Sequence, residues 1–239
     1  MTAAYRSRAD ALRWMAQGGA ILGRALAALP DDRLDGPSRL PGWSGRHLLA
    51  HLAANADALV NLAHWARTGE ERPMYPSPER RDADIEAGAA LPAAELRAWL
   101  ARAALTLDAR LAELDRSQWE RHVRTAQGRT VTAGEIPWMR AREVMVHAVD
   151  LGAGVEFDDL PADFLAALID DITAGRSAAG PALVLTATGH DGTWTVPGSG
   201  EPARVTGTLA GLAAYLSGRR SDGVTAPGGG PAPRLPRWL

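Results

Sequence analysis

The chain has 239 residues, 46% of them hydrophobic and 23% charged, with a formal net charge of −2. At roughly 100–200 residues per domain this is one large domain or two small ones, and the near-neutral balance supplies no basic field for nucleic acid or an anionic membrane. Cysteine is absent, so disulfides, thiolate metal sites and a cysteine nucleophile are excluded, and any thiol chemistry needs a thiol from outside.

The N-terminal stretch MTAAYRSRADALRWMAQ has no long apolar segment of the signal-peptide kind. No run approaches the about 18 apolar residues of a membrane span. A cytoplasmic protein is expected. Every basic residue is arginine and alanine is abundant, the bias of a GC-rich genome.

Apolar residues recur at three and four from about Ala4 to Leu29: Leu12, Met15, Ile21, Leu22, Leu26, Leu29. The spacing predicts a helix ended by Pro30 and DDRLDGPSRLPG. Ser44 is a good N-cap for a second helix running to about Thr68. The segment RPMYPSPERRDAD reads as a loop, from its three prolines and its charge. A third helix is expected from about Ala93 to Leu114. Residues 115–132 are less regular, with RTVTA as a short strand. The fourth helix spans roughly Ala133 to Leu151. Four long helices so connected point to a bundle.

After Gly152 the pattern changes. A helix from about Ala162 to Ala174 precedes ALVLTATG, GTWTVPG and ARVTG, which read as strands of an antiparallel sheet. Leu209 to Leu216 returns to helix. The Gly/Pro-rich tail VTAPGGGPAPRLPRWL reads as flexible, with Trp238 loose rather than docked on a surface, which is the alternative. The fold class is α+β overall: a helical bundle over residues 1–153, a small α+β domain over 154–220 and a tail over 221–239.

In RAREVMVHAVDLG, Glu143 and His147 lie four apart and share a helix face among apolar neighbours. A buried carboxylate and imidazole need partners, and a cation held between facing helices is one arrangement that supplies them. Zinc accepts both ligand types. His51, flanked by Leu48, Leu52 and Leu59, is the best third ligand. His47, nearer the helix end, reads as peripheral. A hydrogen-bonded core histidine and a surface Arg142–Glu143 pair stay open as the plainer readings. The His47–His51 spacing lacks the glutamate of a metalloprotease motif, and no GxSxG elbow supports a hydrolase triad.

The segments LPGWSGRHLLAHLAANADAL, MYPSPERRDADIEAG, REVMVHAVDLGAG, GTWTVPG and YLSGR, in this order, resemble the mycothiol-dependent maleylpyruvate isomerase family, from the first helix to about Arg220. The resemblance implies a DinB-like four-helix metal-binding bundle with a C-terminal domain similar to sterol-carrier folds. It implies His51, Glu143 and His147 as metal ligands, zinc or another divalent ion as metal, and mycothiol, a thiol of actinobacteria, as cofactor. The implied reaction turns maleylpyruvate into fumarylpyruvate by reversible addition of a metal-bound thiolate to the cis double bond. A dianionic substrate calls for arginine forks. Arg219 or Arg220 are the candidates to clamp it, Arg81 is another and is also placed beside the cofactor, and Asp150 either orients a metal-site group or caps its helix. Transfer of mycothiol to another electrophile and a non-enzymatic ligand carrier are the alternatives. The expected partners are an unsaturated keto acid and mycothiol, with no nucleic acid and no membrane, in a monomer or weak dimer.

Overall fold

The structure, a computed structural model, describes residues 6–236 and 238. It divides into a unit of Ser7–Val155 and a unit that takes in Arg6 and the chain from Glu156 onward.

In the first unit, α1 (Arg8–Ala27) starts where the Ser7 side chain accepts from the Asp10 amide, in a reciprocal cap. The expected start at Ala4 lies outside the described residues. α2 (Gly45–Thr68) begins after Ser44 and ends at Gly69, whose φ of 83° suits a residue without Cβ. The expected loop at RPMYPSPERRDAD is in part a helix, α3 (Pro78–Ala89). Pro78 sits at its first position, where no amide hydrogen is needed, and Ser77 caps it.

α4 (Ala93–Ala112) and the short α5 (Arg116–Trp119) follow. β1 (His122–Arg124) and β2 (Thr130–Thr132) form a small antiparallel hairpin. A 3-10 turn at Ala133–Glu135 leads into α6 (Ile136–Asp150).

α2 packs along α4, and α1 along α6; α2 also meets α3 and α6. α2 is buried almost all round, with Leu48, Leu49, Leu52, Leu59 and Leu62 fully inside. Its alanines, among them Ala50, Ala53 and Ala56, carry little bulk, so neighbouring helices approach on several sides. Between α1 and α6, Trp14 meets Trp138 edge to face at 5.7 Å. A functional side chain on the buried part of α2, such as His51, is therefore held by packing on most of its sides.

The second unit contains α7 (Ala162–Gly175), β3 (Pro181–Ala187), β4 (Thr193–Val196), β5 (Ser199–Gly207), α8 (Leu209–Leu216) and β6 (Val224–Thr225). The sheet order is β4-β3-β5-β6. The antiparallel expectation fails at one pair: β3 and β5 run parallel. The hairpin arm β4 is itself the crossover. Pro197 and Gly198 then carry the chain past the start of β3 to its far side, where Ser199 pairs with Pro181. A Cβ on Gly198 would stand 2.3 Å from the Ala182 nitrogen, so only glycine fits there.

The tail is not the loose segment expected from its composition. β6 pairs with β5. The Tyr215 hydroxyl donates to the Pro233 carbonyl at 2.5 Å, and Arg176 donates to those of Pro236 and Leu216. Trp238 is half-buried. Proline and glycine leave many carbonyls without helix or sheet partners, and these side chains supply donors. Arg237 and Leu239 of the expected tail lie outside the described residues.

Candidate metal centre

Glu143 and His147 stand one turn apart on α6 and face α2, from which His51 points back. His51 Nε2 lies 2.9 Å from Glu143 Oε2, and His147 Nε2 lies 3.2 Å from the same oxygen. The two imidazole rings are 5.0 Å apart and perpendicular. One donor atom from each residue falls within 4.8 Å of the others. A tetrahedral zinc with ligands at about 2.0–2.2 Å needs donor pairs roughly 3.3 Å apart. The donor set suits such an ion and two of the donor pairs, at 2.9 and 3.2 Å, are near that spacing; three protein donors leave one position for water or substrate. The side chains of His51, Glu143 and His147 are 9%, 19% and 12% exposed, so the cluster is largely buried but keeps some contact with solvent.

The surrounding contacts choose the tautomers. Asp150, fully buried, places Oδ2 2.8 Å from His147 Nδ1. A carboxylate there keeps a proton on Nδ1, so a cation that takes the place of the Nε2 proton would be ligated through Nε2. His51 packs its ring 5.4 Å from Trp43. Its Nδ1 lies 3.3 Å from Arg81 Nη2. Arg81 also donates to Asp82 and lies over the Tyr75 ring at 5.9 Å.

Burial pushes the Glu143 carboxyl up, but hydrogen bonds from His147 and His51 outweigh it and hold the group well below the ordinary carboxylate range. Burial also works against a charged His147; the bonds to Asp150 and Glu143 win, and its pKa is raised. His51 has no second carboxylate, so burial prevails and its pKa is lowered. Burial lifts the Tyr75 phenol to about 12, which keeps its hydroxyl a donor at neutral pH.

These directions set the acid stability of the chelator-stripped protein. A depressed carboxyl stabilises the fold above its unfolded pKa of about 4.3 and loses that contribution as pH falls through the folded value. The two histidines oppose one another near pH 6.5. The raised pKa of His147 adds stability on acidification, and the lowered pKa of His51 removes it. Urea midpoints measured from pH 6 downward are therefore expected to drop below about pH 4.3 in the wild type. The drop should be shallower in Glu143→Gln; equal slopes would mean that the carboxylate is not held by the histidines.

The structure brings His51, Glu143, His147, Asp150 and Arg81 together in the first unit. Arg219 and Arg220 belong to the second. Arg219 donates to the Ser217 carbonyl at 2.7 Å, and Arg220 stands among Glu156, Asp158 and Asp222. His47 is a cap: its Nδ1 lies 2.7 Å from Ser44 Oγ, and Nε2 faces Glu86 at 3.4 Å. Three neighbours of the centre escaped the sequence reading: Tyr75, Asn55 and the buried Arg140. Asn55, one turn after His51, and Arg140, one turn before Glu143, share the helix faces of the ligands, and that periodicity was the available signal.

Residues 15–152 match the pattern of the mycothiol maleylpyruvate isomerase N-terminal domain, and residues 159–237 match the C-terminal domain of the same family. A crystal structure of a mycothiol-dependent maleylpyruvate isomerase is 40% identical to the chain, covers 98% of each chain and superposes with a TM-score of 0.92. A histidine-to-alanine mutant of such an enzyme matches at 40% identity, 98% coverage of each chain and a TM-score of 0.91. Among proteins of curated function, none matches.

Proposed function

The chain belongs to the mycothiol maleylpyruvate isomerase family, and from that premise we propose that it is the enzyme that converts maleylpyruvate to fumarylpyruvate with mycothiol. The observation that carries the reading is the convergence of His51 Nε2, Glu143 Oε2 and His147 Nε2 in a largely buried cluster that keeps some solvent contact. With no cysteine in the chain, the thiol comes from mycothiol. Two imidazole nitrogens and a carboxylate suit zinc. Such an ion, when bound, lowers the pKa of a coordinated thiol and supplies a thiolate nucleophile at neutral pH.

The protein's own groups do the rest. Asp150 holds the proton of His147 on Nδ1. A histidine that ligates through Nε2 keeps a proton on Nδ1, and the same holds for His51. Arg81, which only donates, then has no acceptor in that imidazole; besides Asp82, which it already meets at 2.8 Å, its Nη2 is available to an anion, a carboxylate of the substrate or cofactor. Tyr75, protonated beside Arg81, adds a neutral donor for oxygen. Arg219 and Arg220 are proposed as further forks for the dianion. The Arg220 guanidinium is already flanked by three carboxylates, so substrate would have to displace one of them.

The test is direct. Purified metal-loaded protein with mycothiol and maleylpyruvate should form fumarylpyruvate, and omission of mycothiol should stop it. No turnover with both present would reject the isomerase reading. Arg81→Ala is expected to raise KM about tenfold or more, the size of a lost hydrogen bond to a charged group. Should Arg81→Ala, Arg219→Ala and Arg220→Ala all keep kcat and KM, the arginine clamp is wrong.

A further inference from the structure

Arg140 is 3% exposed, in a core where an unpaired charge is costly. One nitrogen of its guanidinium, Nη1, donates to the Leu52 carbonyl at 2.7 Å and to Asn55 Oδ1 at 2.9 Å. Both acceptors are on α2. Leu52 is the residue after His51, and Asn55, itself buried, lies one turn beyond His51. On α6, Arg140 stands one turn before Glu143. The two helices that bring His51 and Glu143 to 2.9 Å are thus joined by a charged, two-acceptor tie within a turn of each ligand.

The place of the tie matters because the α2–α6 contact is narrow. α2 packs chiefly on α4, and α6 chiefly on α1. Apolar side chains tolerate small slides between helices, whereas charge-assisted hydrogen bonds are short and directional. A slide of a few tenths of an ångström is harmless to a core and harmful to a ligand set whose distances are fixed within about 0.2 Å. Removing the arginine alone leaves the buried Asn55 Oδ1 short of a donor, so an effect on the fold has to be separated from an effect on the ligand set.

We propose that Arg140, with Asn55, is a positioning residue of the metal centre: it sets the separation of His51 from Glu143 and thereby the affinity and coordination geometry of the bound ion. The inference rests on the reading of the triad as a metal centre.

The experiment uses the full chain, with zinc affinity read by chelator competition and geometry read from the visible absorption of the cobalt(II)-loaded protein. Wild type is measured first; if it takes up no zinc or cobalt, the metal-centre reading fails and this inference with it. If wild type binds, Arg140→Met is expected to bind zinc about 10–100-fold more weakly, the range for partners just outside a ligand shell, with shifted cobalt bands. Arg140→Lys, whose ammonium offers three protons to the same two acceptors, should restore most of the affinity. Thermal unfolding of the chelator-stripped proteins separates this from loss of fold. Equal zinc affinity and identical cobalt spectra in wild type and Arg140→Met would overturn the proposal while leaving the metal centre intact. Should Arg140→Met not fold, Asn55→Ala decides. It loses one of the two bonds, and a roughly tenfold weaker zinc affinity is expected; unchanged affinity overturns the proposal.

Discussion

His51→Ala is expected to empty the metal centre. The wild type, purified without added metal, should carry about one divalent ion per chain in a three-ligand catalytic site, and the variant close to none. Glu143 and His147 remain, but both come from α6, and a pair on one helix does not close round an ion. Removing a partner outside the ligand shell already costs about 10–100-fold in affinity or activity; removing a ligand should exceed that range. Turnover with mycothiol should fall in parallel. The check is metal content by mass spectrometry beside the isomerase assay. A variant that keeps one ion per chain would place the ion elsewhere in the protein. The substitution also separates effects on the site from effects on the fold. His51 lies on the best-packed helix, and a small residue there sits among neighbours that are already alanine, such as Ala50, Ala53 and Ala54.

Asp150→Ala should be the second largest loss, though Asp150 is not a ligand. Its carboxylate is fully buried, three residues from His147 on the same helix, and Oδ2 reaches Nδ1 at 2.8 Å. Without it the imidazole loses the partner that fixes its tautomer and orientation. Its pKa should fall as well, because burial then acts against the charged form with only Glu143 opposing it. Ion affinity is expected to drop about 10–100-fold. Asp150→Asn should fall between, since an amide oxygen still accepts the Nδ1 proton but carries no charge. An Asp150→Ala protein that binds zinc as tightly as wild type would show that the carboxylate serves packing alone.

Where the helix and strand signals were local, the sequence was a good guide. Ser44 predicted the start of α2, and the threefold and fourfold spacing of leucines predicted the long helices. The i,i+4 relation of Glu143 and His147 placed both on one face, and the apolar flanks of His51 marked it as inward. The motifs from LPGWSGRHLLAHLAANADAL to YLSGR pointed to the family that the domain patterns and the full-length structural match establish. The errors had one local and one distant origin. Pro78 begins a helix that composition alone marked as loop, because proline breaks a helix interior but suits its first turn. The tail is tied down by side chains far away in sequence, Tyr215 and Arg176, which composition does not reveal.

What the sequence determined by itself was the inventory: two units, four long helices, a chain without thiols, and three side chains able to hold a divalent ion. Periodicity and capping act over a few residues, so they are legible without a fold. The tertiary structure decided which groups meet. It put His51 within 2.9 Å of Glu143 across 92 positions of chain, set Asp150 behind His147, and joined α2 to α6 through Arg140. It also turned β5 parallel to β3 by passing Gly198 beside the Ala182 backbone. Distances of that kind depend on how helices and strands pack, and packing is a property of the whole core rather than of any segment in it.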